Sequence, residues 1–321
     1  MSDDSCIPGM SYASLSERGN VRETNEDCKL IKPWPDGRAV LLVLADGMGG
    51  QAGGGVASSL VIECFEGLLA EPVPQSQFDR YEKLLGCFYA ADDVIKRRAS
   101  TDFNLLNMGA TVIAAIITTF ECLYLYAGDC RFYHFRDGSP LLITADHSVV
   151  RMLVDAGRLA PDAASSHPMK SVVTSSIGAS PLSRLHVDPK WAETAVEQPA
   201  FRQLQSGDLL LFCTDGLTSE VGVEELKEII HDCDGSVDAM VRACVAAALQ
   251  RGGSDNVTVA MFAVTESRGA QFCSEDVEGS IQTNVSIASG TRPASDGAAQ
   301  SGDTSASLGF ALGPEFGDST V

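Results

Sequence analysis

The chain has 321 residues, 45% of them hydrophobic, enough to bury a sizeable core in one large domain or two small ones. Its 43 acidic residues outnumber 23 basic ones, and the net charge of -20 argues against nucleic acid or an anionic membrane as partner. Ten scattered cysteines with no CxxC pair point to a reducing compartment, and so to a cytoplasmic protein, rather than to disulfides or structural zinc. The acidic MSDDSC start does not read as a secretory signal, and the apolar stretches stop well short of a membrane span.

Residues 1–9 read as a flexible lead. Strands are expected near Met10–Ser14 and over Cys28–Lys32, then at Ala39–Ala45 after the turn WPDGR. Gly47–Gly55 is too glycine-rich for regular structure. The stretch VASSLVIECFEGLLAE repeats apolar residues at Val56, Leu60, Cys64 and Leu68, a helical period. A second helix spans about Phe78–Arg98, and its terminal KRR suits a helix dipole better than a binding patch. Ala110–Thr119, Cys122–Ala127 and Arg131–Arg136 follow as short strands. Asp137-Gly138 turns the last into Pro140–Thr144, and the four together read as an antiparallel meander.

Val149–Ala156 reads as a helix ended by Gly157, and residues 157–189 as a long irregular insertion of the kind that often carries function. A strand at Asp208–Cys213, helices at Val223–Asp232 and Val237–Gln250, and a strand at Val257–Val264 complete the domain, residues 10–265. Residues 266–321 read as a disordered tail with one amphipathic stretch near Leu308–Phe316. Strands and helices do not alternate regularly, which argues for an α+β layered fold with antiparallel sheets and helices outside.

Four aspartates share a setting. LLVLADGMGG, LYLYAGDC and LLLFCTDGL end apolar runs at Asp46, Asp129 and Asp215, each beside a glycine, and GGSDNVTVAMFAV places Asp255 just before another run. Each motif alone is an ordinary turn pair. Together they suggest strand-end carboxylates that repel one another unless hard divalent cations lie between them. Two such ions could clamp the oxygens of a phosphoryl transfer and acidify a shared water. Asp46 is the best candidate to bridge them, with the Gly47 carbonyl free to join. Arg22, just before Asn25-Glu26-Asp27, could bind phosphate; spacing alone puts a local i,i+4 pair with Glu26 slightly ahead.

Among the histidines, His147 reads as a structural hydrogen-bonding group, and His134 and His231 as structural or solvent-facing. His167 and His186 border the irregular insertion. Gly49–Gly55 fits neither phosphate-binding glycine motif.

The ordered set RETNED, ADGMGG, AGDCR, ADHS, CTDGL and GGSDN, from about Ser11 to Val264, resembles the metal-dependent protein phosphatases of the PPM (PP2C-type) family in its compact bacterial form. The resemblance implies a four-layer αββα sandwich, two central antiparallel sheets flanked by helices. It implies hydrolysis of phosphoserine and phosphothreonine in proteins by a metal-bridging hydroxide, with two Mn²⁺ or Mg²⁺ ions and room for a third. A cognate Ser/Thr kinase is the expected opponent.

Carried over by motif, Asp46 would bridge the metals, Asp215 and Asp255 would complete one site, and Glu26 with the Gly47 carbonyl the other. Asp27 would hold water in the outer shell, Asp129 a third ion with Asp215, and Arg22 the phosphate. Asn256 would support the Asp255 turn. Met48 stands where some members have a histidine acid, Cys130 where serine is usual, and Ser175 in the variable flap where a basic residue is frequent. A non-catalytic, phosphatase-like binding module is the competing reading.

Overall fold

The structure, a computed structural model, describes residues 7, 9–49, 53–164, 166–178 and 183–265. The first half contains β1 (Met10–Glu17), β2 (Asp27–Pro33), β3 (Val40–Met48), α1 (Gly53–Glu66), α2 (Gln77–Thr101), β4 (Gly109–Ile117) and β5 (Glu121–Ala127). Then come β6 (Arg131–Arg136), β7 (Ser139–Ile143), α3 (Val149–Asp155), β8 (Ile177–Gly178), β9 (Phe201–Gln203), β10 (Leu209–Cys213), α4 (Asp215–Thr218), α5 (Val223–Asp232), α6 (Val237–Arg251) and β11 (Val257–Val264).

One sheet runs β1-β11-β10-β6-β7, and the other β2-β3-β4-β5-β9 with β8 paired to β4, all antiparallel. The central strands are apolar at nearly every position because both their faces are covered. In β3, Leu41, Val43 and Ala45 meet the layer of α1 and α2, while Val40, Leu42 and Leu44 face the other sheet. In β10, Leu210 and Phe212 point between the sheets, whereas Leu209, Leu211 and Cys213 pack toward α5 and α6. Three stacked cores therefore hold four layers, the α+β sandwich expected. Ser76 and Ser236 start α2 and α6 by accepting the N–H groups of Asp79 and Ala239.

Several expectations need correction. The middle strands are not one meander: β5 belongs to one sheet and β6 to the other. The chain changes sheet at Gly128, whose φ of +116° and lack of a Cβ let it lie against the Thr111 side chain. The glycine segment is more regular than its composition suggests. β3 runs on through Met48, and α1 already begins at Gly53. Asp46 is consequently inside a strand, not at its end. β1 continues to Glu17, and β8, β9 and the one-turn α4 were not foreseen.

Gly53–Ala70 is 18 residues long with mean hydropathy 1.3, long and apolar enough to cross a membrane, contrary to the sequence reading. Its Ala57, Val61 and Phe65 are buried in the core beneath α1 and α2. Ile7, assigned to the free lead, is buried between the sheets. Residues 1–6 and 8 of that lead, and the proposed tail with Leu308–Phe316, lie outside the described residues. The eight cysteines among the described residues are free.

Phe212 stacks on Phe132 at 4.5 Å and meets Phe262 edge-on at 6.2 Å between the sheets. Phe212→Ala should cost about 3–5 kcal/mol of stability, read as a fall in the urea midpoint. A loss under about 1 kcal/mol would show that the inter-sheet core is not where the stability lies.

Candidate active site

Antiparallel pairing joins the last residues of one strand to the first of its neighbour. In one sheet this sets Asp27, the first residue of β2, opposite Asp46 of β3, which is flanked on its other side by Thr111 of β4. In the other sheet, β10 leads into Asp215 and the loop carrying Asp255 leads into β11, its neighbour. Asp129 sits where the chain crosses between the sheets. The outcome is a single cavity of about 390 Å³ lined by Arg22, Glu26, Asp46, Asp129, Asp215 and Asp255. Gly47 and Met48 also line it, and Asp27 is buried beside Asp46.

Close backbone approach fixes one wall. A Cβ on Gly54 would lie 2.6 Å from the Gly47 carbonyl oxygen and 2.8 Å from the Glu26 carboxyl carbon, and one on Gly47 would overlap the Gly54 carbonyl. These glycines let the start of α1 rest directly on the Asp46-Gly47 strand. Ser58 of α1 donates its hydroxyl to the Glu26 carbonyl at 2.6 Å.

Asn256 fixes the opposite wall. Its Nδ2 donates to the carbonyls of Arg18 and Thr24, each at 2.8 Å, and its Oδ1 accepts the Glu26 N–H at 2.8 Å. Its backbone N–H donates to Asp255 Oδ1. One buried amide thus ties the Arg22 loop to the Asp255 loop, a wider role than steadying the Asp255 turn.

The sequence reading missed four further residues. Thr214 and Thr258 donate to Asp27 Oδ2 at 2.9 and 2.6 Å. They were visible in CTDGL and DNVTV, but a threonine in a strand reads as a β-former. Arg131 and Asp146 form a two-bond pair at 2.6 and 2.7 Å beside Asp129. Arg131 lies in AGDCR and Asp146 in ADHS, two motifs whose spacing gave no reason to join them.

The carboxylates crowd one another in poor solvent. Removal from water, then the charges of Asp27, Asp215, Asp129 and Asp255, pushes Asp46 well above the usual carboxylate range. Burial first, and Asp215 second, raises Asp129 to about 8. Burial raises Asp27 to about 7 against its two threonine hydrogen bonds. Asp215 rises to about 6 through burial and Asp255. Asp27 Oδ1 and Asp215 Oδ1 are buried with no hydrogen-bond partner. Buried anionic oxygens without donors are what an oxygen-seeking cation would satisfy. The residues fit a divalent metal.

Arg22 donates to Asp255 Oδ2 at 2.6 Å, so the local Arg22–Glu26 pair is replaced by one across the site. His147, His186 and Asp188 form a separate cluster with ligand atoms within 4.8 Å. It does not suit a metal. The Gly128 N–H donates to His147 Nδ1 at 3.2 Å, so Nε2 keeps its proton and donates to Asp188 at 3.0 Å. That hydrogen bond is the main reason Asp188 titrates below its ordinary range.

His134 is buried on Asp208 at 2.9 Å, and His231 is exposed at the end of α5. His167 Nδ1 accepts the Met169 N–H within the insertion. Ser175 is buried and closes a two-way hydrogen bond with the His186 backbone, so it offers nothing to a substrate. Cys130 is buried within 3.3 Å of the Thr111 hydroxyl, its thiol pushed far up by burial.

Residues 22–251 match the model of the family Protein phosphatase 2C, and the chain belongs to that family. It is 34% identical over 257 residues to the serine/threonine protein phosphatase PstP of Mycobacterium tuberculosis, covering 80% of this chain and 45% of that protein. The chain therefore spans less than half the length of that relative. Protein phosphatase PhpP of Streptococcus pneumoniae is 28% identical over 260 residues, covering 80% of this chain and 98% of that one. The crystal structure of the catalytic domain of PstP in complex with two manganese ions is similar with a TM-score of 0.66. Its sequence identity is 30%, over 80% of this chain and 99% of that one.

The raised carboxylates make a signed prediction for the metal-free chain. The folded state retains protons that the unfolded state releases, so stability falls as pH rises from the ordinary carboxylate range to about 8. In EDTA at pH 8, Asp46→Asn should raise Tm by about 2–4 °C for each kcal/mol of repulsion removed. A wild-type Tm in EDTA that climbs over this window would contradict the picture.

Proposed function

We propose that this chain is a Mn²⁺- or Mg²⁺-dependent phosphatase acting on phosphoserine and phosphothreonine in proteins. The observation that carries the reading is the convergence of six acidic side chains on one cavity whose lining, among the described residues, holds a single cationic residue, Arg22. Asp46, Asp215 and Asp255 would hold one ion, and Asp46, Glu26 and the Gly47 carbonyl the second. Asp129 with Asp215 would take a third. Bound there, divalent ions neutralise the carboxylates, attract the phosphate oxygens and make water acidic enough to attack near neutral pH.

The protein's own groups do the rest. Arg22 is half-exposed at the cavity wall, where its guanidinium can bind two phosphate oxygens and orient the ester. Asp27, with one oxygen fixed by Thr214 and Thr258, turns its other oxygen free to accept a proton from water. A water oxygen bonds to phosphorus as the ester P–O bond breaks, giving inorganic phosphate and the serine or threonine hydroxyl. Met48 offers no proton, so the leaving oxygen takes one from solvent.

The family match over residues 22–251 and the manganese-bearing structural relative support this assignment. We further place residues 10–265 as the catalytic domain, opposing a bacterial Ser/Thr kinase in the cytoplasm, a reading supported by free cysteines and bacterial relatives.

With Mn²⁺, the purified chain should hydrolyse p-nitrophenyl phosphate and a phosphothreonine peptide, and EDTA should stop both reactions. Asp215→Asn should abolish turnover while the circular dichroism spectrum is kept. Arg22→Ala should lower kcat/KM by about 10²–10³-fold. Metal-independent hydrolysis, or full activity in Asp215→Asn, would overturn the assignment; a folded chain inert to both substrates would favour the binding-module reading.

A further inference from the structure

Beside the carboxylate cavity lies a larger cleft of about 490 Å³. The two share Asp129, Ser171 and Asp215 and so form one continuous depression. The cleft has an apolar share of its lining, made by Ile143 at the end of β7, Val150 and Val154 of α3, and Pro161 and Ala164 beyond it. Helix α3 is unusual in this fold. Five of its seven residues are apolar (Val149, Val150, Met152, Leu153, Val154), yet none is buried. Ile143 is 40% exposed. Apolar surface left open beside a polar reaction centre is characteristic of ligand-binding sites.

The charges around the cleft narrow the ligand. Arg131 is neutralised by Asp146, and Arg151 by Asp155. Lys170 makes no salt bridge and no side-chain hydrogen bond among the described residues, and it is exposed on the cleft wall. In a chain of net charge -20, a lysine without a carboxylate partner next to a phosphate site is available to an anionic group of the ligand. The ligand must also reach the carboxylate cavity, because the cleft opens into it past Asp129 and Asp215.

We propose that this cleft seats the polypeptide flanking the phosphorylated residue, with an apolar side chain against Val154 and Ile143 and a carboxylate at Lys170. The inference rests on the phosphatase reading and deepens it. A small phosphate ester fills only the carboxylate cavity and gains nothing from the cleft. A phosphoprotein segment fills both, so the cleft sets which phosphosites are turned over fastest.

The test uses the full chain with Mn²⁺ and a set of phosphoserine peptides in which one Leu and one Asp are moved through the flanking positions. Hydrolysis of p-nitrophenyl phosphate is the reference. Wild type should favour particular Leu and Asp positions. In Val154→Asp the ratio of kcat/KM for the best peptide to that for the aryl phosphate should fall about tenfold or more. Lys170→Glu, an exposed position whose substitution leaves the core untouched, should invert the preference between Asp- and Lys-bearing peptides. Equal turnover of all peptides by wild type, or an unchanged preference in Lys170→Glu, would overturn the cleft assignment alone. If wild type also fails to hydrolyse the aryl phosphate, the phosphatase reading falls, and the cleft assignment with it.

Discussion

Asp27 and Asp46 face each other across β2 and β3, Asp215 and Asp255 press on both from the other sheet, and Asp129 presses on Asp46 from the crossing between them. No arrangement of these side chains alone removes their repulsion, because among the described residues only Arg22 offers a positive charge within the cavity lining, and it is paired with Asp255. Buried like charges must either hold protons or share a cation. The fold supplies the rigidity that prevents a third course, in which the side chains would simply move apart. Asp46 is inside a strand bonded on both sides, Asp27 is pinned by two hydroxyls, and Asn256 binds both loops together.

This explains why so much of the nearby sequence has no side chain at all. Gly47 and Gly54 touch backbone to backbone, which brings the first turn of α1 down onto the strand that carries Asp46. Gly128 lets the chain cross between sheets within van der Waals reach of Thr111, and so delivers Asp129 from the seam. A helix wedge, a sheet crossing and two loops thus hold carboxylates from five separate stretches of sequence at one place.

Much of this was legible in the sequence, for a physical reason. Strands covered on both faces write themselves as continuous apolar runs, and β3, β10 and β11 stood out accordingly. β11 was placed at its observed bounds. Apolar runs do not say which sheet a strand joins, however, and β5 and β6 were assigned to one meander because only three residues separate them. The glycine stretch misled by composition: glycines that look like a loop serve as contact points between a strand and a helix start. Within the site, the aspartates at the ends of apolar runs announced themselves, whereas Thr214, Thr258 and the Arg131–Asp146 pair work through hydrogen bonds that no spacing rule reveals. The Arg22 partner was likewise invisible, since Asp255 lies 233 positions away.

The central claim is that these carboxylates form one cradle for paired cations, and counting the ions tests it most directly. Titration of metal-free protein with Mn²⁺, followed by electron paramagnetic resonance of the free ion, should give at least two ions bound per chain. On the proposed ligand set, in which Asp46 would serve both ions, the same titration of Asp46→Asn should lose both tight sites together. Two undiminished sites in Asp46→Asn, or no tight binding by the wild-type chain, would contradict the account.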